Sequence, residues 1–448
     1  MSSPKHLVAI FGGAVSGSEA AYQLAQRGVS SIVFDQNALP YGKIEDGLPK
    51  WHSKLRDKEE NRINEKLSHP LVTYVPLTKL GRDISFEEVT SWGFCAILLA
   101  IGAWKDRPLP IPGINQYIGK GLVYQNPFIY WYNHKHEQNY AGEVYEIKDN
   151  MVIVGGGLAS LDVAKVIMFE LVEKALTKLG HEIDMFKLDR SIAKVLASLD
   201  LTLEDLGIQG CTLYYRRRIK DMPLSPSPAN TPEELAKVQM VQEKILNNYR
   251  SKYLFKMEPL HMPVDKIVEN DRLVGLVFQG TKVENGRVVP VPDSKKEVRC
   301  SYVISSIGSI PDHIPGIPTK GQTYDVEDEV YCRIAGYTRV FALGNTVTGR
   351  GNIKESLAHG REISKNVIEG YLGHASGEPD QEVADRIGSA VTAITEEIRN
   401  CQVSPASQKV IQDHIKRHHE RAGYRGDYMT WVKSHLPDRL EHQLGVKH

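Results

Sequence analysis

The sequence predicts an α/β fold of two three-layer domains, each a parallel β-sheet between helices, with a small helical extension at the C-terminus. Two observations carry this prediction. A buried strand, a glycine-rich turn and a helix follow one another at residues 7–28, and the same succession returns at residues 151–176. Each succession is typical of the βαβ unit from which doubly wound sheets are built.

The first unit runs from the apolar strand LVAIF through the turn GGAVSG into the helix EAAYQLAQRG, and a second buried strand ends at Asp35. Asp35 lies about 20 residues beyond Gly12, where an acidic group meets the hydroxyl pair of a ribose. Glycines in the turn let the backbone approach a pyrophosphate at the helix N-terminus. Ala14 replaces the second glycine of the motif and slightly crowds the phosphate. The unit predicts a dinucleotide site.

Length and charge limit the classes of protein to which this chain can belong. A chain of 448 residues should divide into two or three domains. It carries 55 basic and 55 acidic residues in dispersed order, which argues against nucleic-acid binding and against a polybasic membrane anchor. No apolar run approaches the ~20 residues of a membrane helix. MSSPKH leads straight into the first strand, so we expect no signal peptide.

Cysteine usage predicts a reducing compartment, and we expect a cytoplasmic protein. The five cysteines are widely spaced and odd in number, which argues against a disulfide framework. They are Cys95, Cys211, Cys300, Cys332 and Cys401. The absence of a CxxC motif excludes a short-loop redox disulfide and a cysteine-ligated iron–sulfur cluster within this chain.

The stretch after Asp35 predicts further ligand contacts. NALPYGKIEDGLPKWHSKLR is a long irregular segment, which we expect to touch whatever the first unit binds. A polar helix over about 57–67 and the strand VTYV follow. GFCAILLAIGAW predicts a buried strand ending at Gly102, where the backbone passes close to a ligand. The first link between domains is expected within 121–145.

The second unit, MVIVGGGLASLDVA, predicts a second nucleotide. Ser160 occupies its third glycine position, and about thirty extra residues at 180–210 precede its next strand, CTLYY. That strand leads into Arg216, Arg217 and Arg218 rather than an acid. Arginines at this point can grip a 2′-phosphate, which favours NADP(H) over NAD(H). A solvated basic strand end is the alternative.

Residues 231–311 predict the remainder of the second domain. TPEELAKVQMVQEKILNNYR predicts a helix opened by Thr231. An antiparallel meander with turns near Asn270 and Asn285 follows. CSYVISSIGSIP predicts a buried strand that ends at Gly308 and leads back to the first domain.

The stretch VFALGNTVTGRGNI predicts a strand, a close-approach turn at Gly344 and a helix beginning at about Ile353. Gly351 and Asn352 lie beside that helix start. Free helix N–H groups there could meet a second part of the first nucleotide.

Composition changes after 372. Apolar residues at helical spacing predict helices around 383–398 and 410–415. His414, His418 and His419 could bind a metal, although a polar, solvated helix face is the preferred interpretation. The predicted organisation is 1–145 and 312–372 for the first nucleotide domain, 146–311 for the second, and 373–448 for the helical extension.

Together these motifs resemble the pyridine-nucleotide-dependent flavoprotein reductases of the glutathione-reductase superfamily. The likeness is greatest to adrenodoxin reductase (ferredoxin:NADP⁺ reductase) and to the small subunit of glutamate synthase. It covers about residues 5–372 and is carried by VAIFGGAVSG with Asp35, PYGKIEDGLPKWH, LLAIGA, VIVGGGLASLDVA, YYRRR and FALGNTVTGRGNI. Asn345 departs from the acid that many members have there. The resemblance implies two Rossmann-like domains.

The resemblance also implies roles for individual residues. It assigns FAD to Gly12, Gly13, Ala14, Val15, Ser16, Gly17, Asp35, Gln36, Gly42, Lys43, Gly102, Ala103, Trp104, Gly344, Asn345, Gly351, Asn352 and Ile353. It assigns NADP(H) to Gly156, Gly157, Leu158, Ala159, Ser160, Arg216, Arg217 and Gly308. His52 matches a histidine close to the flavin and nicotinamide, and Asp162 matches an acid of the same region.

The function implied is hydride transfer between NADP(H) and FAD, followed by electron transfer to a separate acceptor. That acceptor would be a ferredoxin-like iron–sulfur protein or a larger synthase-type subunit, and a homodimer is left open. Two alternatives stand beside it. One is an FAD-dependent NADPH oxidase or monooxygenase acting on a small molecule. The other is a nucleotide-binding scaffold or sensor without turnover.

Overall fold

The computed structural model describes residues 6–224, 231–327, 332–346, 388, 391–392, 394–395 and 401–445. These residues form two compact units. Unit 1 contains residues 6–105, 310–346 and the described residues from 388 onward, and unit 2 contains the described residues between 106 and 309. The chain leaves unit 1 after Lys105 and returns at Ile310, whereas the sequence analysis placed these crossings at 145/146 and 311/312.

The regular elements of the described residues are numbered in chain order. The strands are β1 (Leu7–Phe11), β2 (Ser30–Phe34), β3 (Val72–Val75), β4 (Ala96–Leu99), β5 (Lys105–Asp106), β6 (Leu122–Tyr124), β7 (Met151–Gly155), β8 (Cys211–Tyr215), β9 (Lys256–Pro259), β10 (His261–Glu269), β11 (Arg272–Glu284), β12 (Arg287–Arg299), β13 (Val303–Ser306), β14 (Ser309–Ile310), β15 (Thr319–Lys320), β16 (Thr323–Tyr324) and β17 (Val340–Ala342). The helices are α1 (Val15–Ala25), α2 (Lys43–Asp46), α3 (Ser53–Leu67), α4 (Phe86–Ser91), α5 (Gln125–His134), α6 (Leu158–Lys178), α7 (Met185–Arg190), α8 (Ile192–Ala197), α9 (Pro232–Tyr253), α10 (Pro405–Ala422), α11 (Tyr428–His435) and α12 (Leu440–Gln443). Short 3₁₀ turns span Lys50–His52, Ile114–Tyr117, Ile219–Asp221 and Gly344–Thr346.

A parallel sheet in the order β17-β4-β1-β2-β3 forms the centre of unit 1. Its central strand β1 is buried throughout, as expected of an apolar strand covered on both faces. The register places Phe11 beside Phe34 on one side and beside Leu99 on the other. The turns after these three strands therefore open at one edge of the sheet, where doubly wound sheets bind their ligands.

The C-terminal helices are part of unit 1 and its core. Ile411 and Trp431 belong to the same buried hydrophobic cluster as strand β1. The rings of Tyr424 and Tyr428 pack edge-on against Tyr74 of β3. Of the helix predicted around 383–398, only a few residues lie within the described part of the chain.

The three histidines of α10 do not form the predicted solvated face. His414 stacks on Trp92 with ring centroids 3.9 Å apart, and His419 Nε2 lies 2.8 Å from Tyr74 O. The side of α10 that carries these histidines packs against the rest of unit 1, because apolar residues of the helix are buried there. Among the described residues, no group of three or more His, Cys, Asp or Glu side chains is placed to hold a metal ion.

Unit 2 contains a second parallel sheet in the order β6-β13-β7-β8-β9. Strand β6 pairs with β13, and this pairing brings residues before 145 into unit 2. The predicted meander is present as β10-β11-β12. Its turns contain Asn270 and Asn285, both with positive φ, a conformation that asparagine tolerates better than most residues.

Two predicted features of unit 2 acquire definite structure. The insertion at 180–210 contributes the short helices α7 and α8. Helix α9 begins as predicted, with Pro232 in its first turn, because Thr231 and Glu234 form a reciprocal capping box.

None of the helices in the described part of the chain has the length and hydropathy to cross a membrane.

Candidate functional site

A cavity opens in unit 1 at the carboxyl edge of its sheet. It encloses about 1360 Å³ when the open solvent at its mouth is included. Residues predicted from the first nucleotide motif make up much of its lining. They are Gly12, Ala14, Val15, Ser16, Asp35, Gln36, Gly42, Lys43, Gly102, Ala103, Trp104 and Gly344. The fold therefore gathers four separate sequence stretches around one space.

The glycine-rich turn after β1 is shaped by close packing. Gly12 has φ +97°, and a Cβ at this position would overlap with the carbonyl oxygen of Ala100. A Cβ on Gly17 would overlap with Gly12 O, because α1 packs tightly on the turn. Ala14 has φ −69°, which an L residue adopts freely. The replacement of the second glycine thus leaves the turn unstrained.

Asp35 connects the end of β2 to this turn. Its Oδ2 accepts a hydrogen bond from Gly13 N at 2.7 Å, and its Oδ1 accepts one from Asn37 N at 2.9 Å. Burial raises the pKa of Asp35 to about 6, despite these two bonds, and the nearby Asp46 adds to the rise. The carboxylate therefore fastens the turn as well as lining the cavity.

The far part of the cavity contains aromatic and basic groups. Lys43 places its ammonium 5.9 Å from the centre of the Trp104 ring. Gly102, with φ +69°, donates its N–H to Thr346 Oγ1 at 2.9 Å. Lys79 Nζ contacts Asp312 Oδ2 at 3.0 Å. This arrangement combines a flat apolar surface with several groups able to hydrogen-bond a ligand.

Several lining residues were not named individually in the sequence analysis, although Tyr41 and Ile44 lie in the irregular segment that it expected to contact the ligand. The residues not named are Phe11, Phe34, Tyr41, Ile44, Thr78, Lys79, Leu80, Ala100, Ile101, Asp312 and Ile314. Thr78 and Lys79 follow β3 closely, so the rule that parallel strands end at the ligand edge could have found them. The sequence carries no comparable signal for Asp312, which reaches this edge only through the return of the chain to unit 1.

Other predicted residues of the first site lie elsewhere. Asn345 lies in the 3₁₀ turn Gly344–Thr346. Gly351, Asn352 and Ile353 lie outside the described residues. His52 ends the 3₁₀ turn before α3, and its ring lies 5.8 Å from that of Trp51. His52 belongs to unit 1 without lining the cavity.

The second glycine-rich turn lies in unit 2 between β7 and α6. Gly157 is the N-cap of α6, and a Cβ there would have no neighbour within 4 Å. Gly156 instead lies against the ring of Tyr215, which a Cβ would overlap. Ser160 donates its hydroxyl to Gly157 O at 2.6 Å, so the third motif position is tied back to the turn.

The three arginines after β8 differ in their contacts. Arg216 is exposed. Arg217 Nη1 donates to Gly286 O at 3.0 Å. Arg218 forms two hydrogen bonds with Asp221, of 2.7 and 2.8 Å. Arg218 is therefore held in a local ion pair, unlike Arg216 and Arg217.

Asp162 lies within the N-terminal half of α6, in the same unit as the second turn. Burial raises its pKa to about 7; the nearby Lys165 opposes this rise and Asp189 adds to it. Lys165 is itself buried and forms an ion pair with Asp189.

Gly308, with φ +98°, follows β13, and its carbonyl accepts the N–H of Arg107 at 2.9 Å.

Comparisons with known proteins agree with this architecture. The chain is 25% identical over 378 residues to the mitochondrial NADPH:adrenodoxin oxidoreductase of Arabidopsis thaliana, covering 75% of this chain and 74% of that protein. It is 23% identical over 383 residues to the glutamate synthase [NADPH] small chain of Halomonas elongata, covering 82% and 68%. The structure of Mycobacterium tuberculosis FprA in complex with NADPH aligns with a TM-score of 0.58 at 19% identity, covering 87% of this chain and 90% of that one.

The chain is similar in sequence to NADPH-dependent oxidoreductases and shares the fold of FprA. The relatives agree with the predicted resemblance, and the predicted fold of two Rossmann-like domains is confirmed. The Arabidopsis relative is named as an NADPH oxidoreductase, which agrees with the predicted class of enzyme. No protein-family model matches this chain. The NADPH-Fe(3+) oxidoreductase subunit beta of Geobacter sulfurreducens is 25% identical over 315 residues, but the match spans only 37% of that subunit.

Proposed function

We propose that this oxidoreductase transfers a hydride between NADP(H) and FAD and delivers the electrons to a separate iron–sulfur acceptor. FAD and NADP(H) are its cofactors. The observation that carries the proposal is the presence of a glycine-rich turn at a helix N-terminus in each unit, one of which opens into a cavity at the carboxyl edge of its sheet. Such turns present free N–H groups and a positive dipole end to a pyrophosphate.

The residues of unit 1 fit FAD. The turn Gly12–Ser16 would hold the pyrophosphate, and Asp35 with Gln36 would hold the ribose of the ADP half. Gly42, Lys43, Gly102, Ala103, Trp104, Gly344 and Asn345 would hold the rest of the cofactor. Glycine at 42 supports this fit, because it lines the cavity with a φ of +53°, a conformation that favours glycine. The cavity lies at the carboxyl edge of the sheet, where doubly wound folds bind dinucleotides.

The residues of unit 2 fit NADP(H). Gly156 to Ser160 would hold its pyrophosphate, and the open space at Gly157 leaves room for a close approach. Arg216 is exposed at the end of β8, where a 2′-phosphate would be recognised. Arg217 would add a second cation, using the guanidinium donors that do not contact Gly286. Gly308 is included in this site on the resemblance.

Bound FAD supplies the chemistry, since it takes up a hydride and releases electrons singly. The task of the protein is positioning and exclusion of water, which needs little acid or base chemistry from side chains. Trp104 and the turn at Gly102 would fix the outer part of the cofactor. We propose His52 and Asp162 as groups near the reacting rings. Asp162 holds its proton up to about pH 7 because of burial.

The acceptor is proposed from the relatives and the cysteines. The Arabidopsis relative is named for adrenodoxin, and the Halomonas relative is the small chain of a larger synthase. This chain has no CxxC motif, so it has no short-loop disulfide with which to relay electrons. An iron–sulfur protein or a partner subunit fits both observations. The five widely spaced cysteines, which form no disulfide in the described part of the chain, support a cytoplasmic location.

The test is an anaerobic titration of the purified chain with NADPH, followed by addition of an oxidised ferredoxin. We expect the flavin absorption to bleach and then to recover as the ferredoxin is reduced. An unbleached flavin would overturn the proposal. Bleaching that reverses with oxygen but not with ferredoxin or with iron–sulfur proteins recovered by pull-down would favour the oxidase alternative instead.

A further inference from the structure

The described C-terminal segment, residues 401–445, lies directly behind the wall of the cavity in unit 1. His419 Nε2 lies 2.8 Å from Tyr74 O in β3. Arg421 Nη2 donates to Leu77 O at 3.1 Å, just ahead of the lining residues that follow β3. The segment thus hydrogen-bonds the backbone of a strand and a turn that shape the cavity.

Trp431 holds a second part of the wall. Its Nε1 donates to Ala38 O at 2.7 Å, and its side chain is buried in the core of unit 1. Ala38 lies between the lining residues Gln36 and Tyr41. Because a buried indole N–H needs an acceptor, this bond fixes the position of the loop as well as satisfying the ring.

Arg439 holds a third part. Its Nη2 lies 2.8 Å from Glu45 Oε2 and 2.8 Å from Glu60 Oε2, and its side chain is only 6% exposed. Glu45 lies in α2, whose Lys43 and Ile44 line the cavity. The guanidinium therefore joins the wall helix α2 to α3.

A second buried ion pair, between Arg56 of α3 and Glu441, reinforces this connection. The cluster contains three carboxyl groups, those of Glu45, Glu60 and Glu441, and two guanidinium groups, those of Arg56 and Arg439. Removing one partner of a buried pair leaves the other charge uncompensated. Detachment of the C-terminal segment would therefore remove from Glu45 the guanidinium that connects α2 to the segment.

We propose that residues 401–445 form a strap that retains FAD, with Trp431 and Arg439 as positioning residues for the cavity wall. This inference rests on the proposed function, since it requires FAD in unit 1. Neither side chain lines the cavity. Trp431 acts through Ala38 and Arg439 acts through Glu45. A wall already held in place loses less conformational freedom when the cofactor binds, so loosening the wall weakens binding.

The experiment titrates FAD into the flavin-free full chain and follows the quenching of flavin fluorescence. The variants are Trp431→Phe, which keeps a packed ring without the N–H donor, and Arg439→Met. The control is Arg425→Met, which removes an exposed arginine of the same segment. Far-ultraviolet circular dichroism checks that each variant is folded. The visible circular dichroism of the bound flavin at saturating FAD reports the shape of its surroundings.

We expect Trp431→Phe and Arg439→Met to raise the FAD dissociation constant at least tenfold and to alter the visible bands, with Arg425→Met like the wild type. Folded variants that bind FAD as tightly as the wild type, with unchanged bands, would overturn the strap and leave the proposed function standing. A wild-type chain that binds no FAD would overturn both. If Arg439→Met does not fold, Trp431→Phe decides the matter alone.

Discussion

Asp35 Oδ2 lies 2.7 Å from Gly13 N and accepts its hydrogen bond, so the acid that ends the second strand is tied to the turn that follows the first. The sequence analysis assigned this carboxylate to a ribose. The structure gives the carboxylate an additional structural role, because it also accepts a hydrogen bond from Asn37 N. Both roles depend on the same two oxygen atoms.

Asp35→Ala should therefore destabilise unit 1 as well as weaken FAD binding. Each buried backbone N–H left without an acceptor costs about 1–3 kcal/mol. Asp35→Asn keeps one acceptor oxygen, so it should retain more of the stability while losing the charge. Urea unfolding of the flavin-free chain measures the first effect, and FAD titration measures the second. Equal stability of Asp35→Ala and the wild type would contradict the structural role.

The stability of the chain should fall as pH rises toward 8. Burial, and then the neighbouring carboxyl of Glu45, raise the pKa of Glu60 to about 8 from 4.5, while Arg439 and Arg56 oppose the rise. The folded state thus binds more protons than the unfolded state between these two values. The contribution of this group is fully present below pH 4.5 and is lost as pH rises through 8.

Glu60→Gln should flatten this dependence. The variant lacks the one-proton difference between the folded and unfolded states. The unfolding free energy should therefore fall less steeply with pH, by up to about 1.4 kcal/mol per pH unit. Asp35 and Asp162, with pKa values of about 6 and about 7, add slopes of the same sign at lower pH. The contribution of Glu60 is therefore best separated from those of the two aspartates between pH 7 and 8. Urea titrations at several pH values measure it, and identical slopes for variant and wild type would refute the assignment.

Replacing both Arg216 and Arg217 by alanine should reduce the preference for NADPH over NADH. Loss of a charge-assisted phosphate clamp costs ~3 kcal/mol or more, which is roughly a hundredfold in the ratio of kcat/KM values. Arg218→Ala is the matched control, because its guanidinium is engaged by Asp221. Steady-state kinetics with both nucleotides give the ratio. A double variant that keeps its preference would rule out this phosphate site.

The glycines of the second turn should respond differently to alanine. Gly156→Ala places a methyl group into the Tyr215 ring, and displacing that ring should cost about 1–3 kcal/mol of stability. Gly157→Ala meets no atom within 4 Å and has φ −94°, so it should fold as stably as the wild type. If Gly157 faces the pyrophosphate, its variant should nevertheless bind NADPH more weakly. Thermal unfolding and NADPH titration separate the two effects.

Much of the fold could be predicted from local pattern. The runs LVAIF and MVIVG are buried throughout because parallel strands covered on both faces must be apolar. The helix start at Thr231 and the asparagine turns of the meander were likewise predicted by residue type. The C-terminal helices were predicted as an appendage, although Trp431 and Ile411 belong to the core of unit 1. Their amphipathic pattern shows that one face is buried, without showing against what.

The sequence by itself determined the two glycine-rich turns, the acid after one and the arginines after the other, because these features depend on neighbours in the chain. Only the tertiary structure decided that Thr78, Lys79 and Asp312 share a cavity with Gly12. It alone placed Arg439 between Glu45 and Glu60. Such contacts join residues far apart in sequence, and an ion pair of this kind leaves no periodic signal. Burial and charge pairing across the fold, rather than local propensity, select these partners.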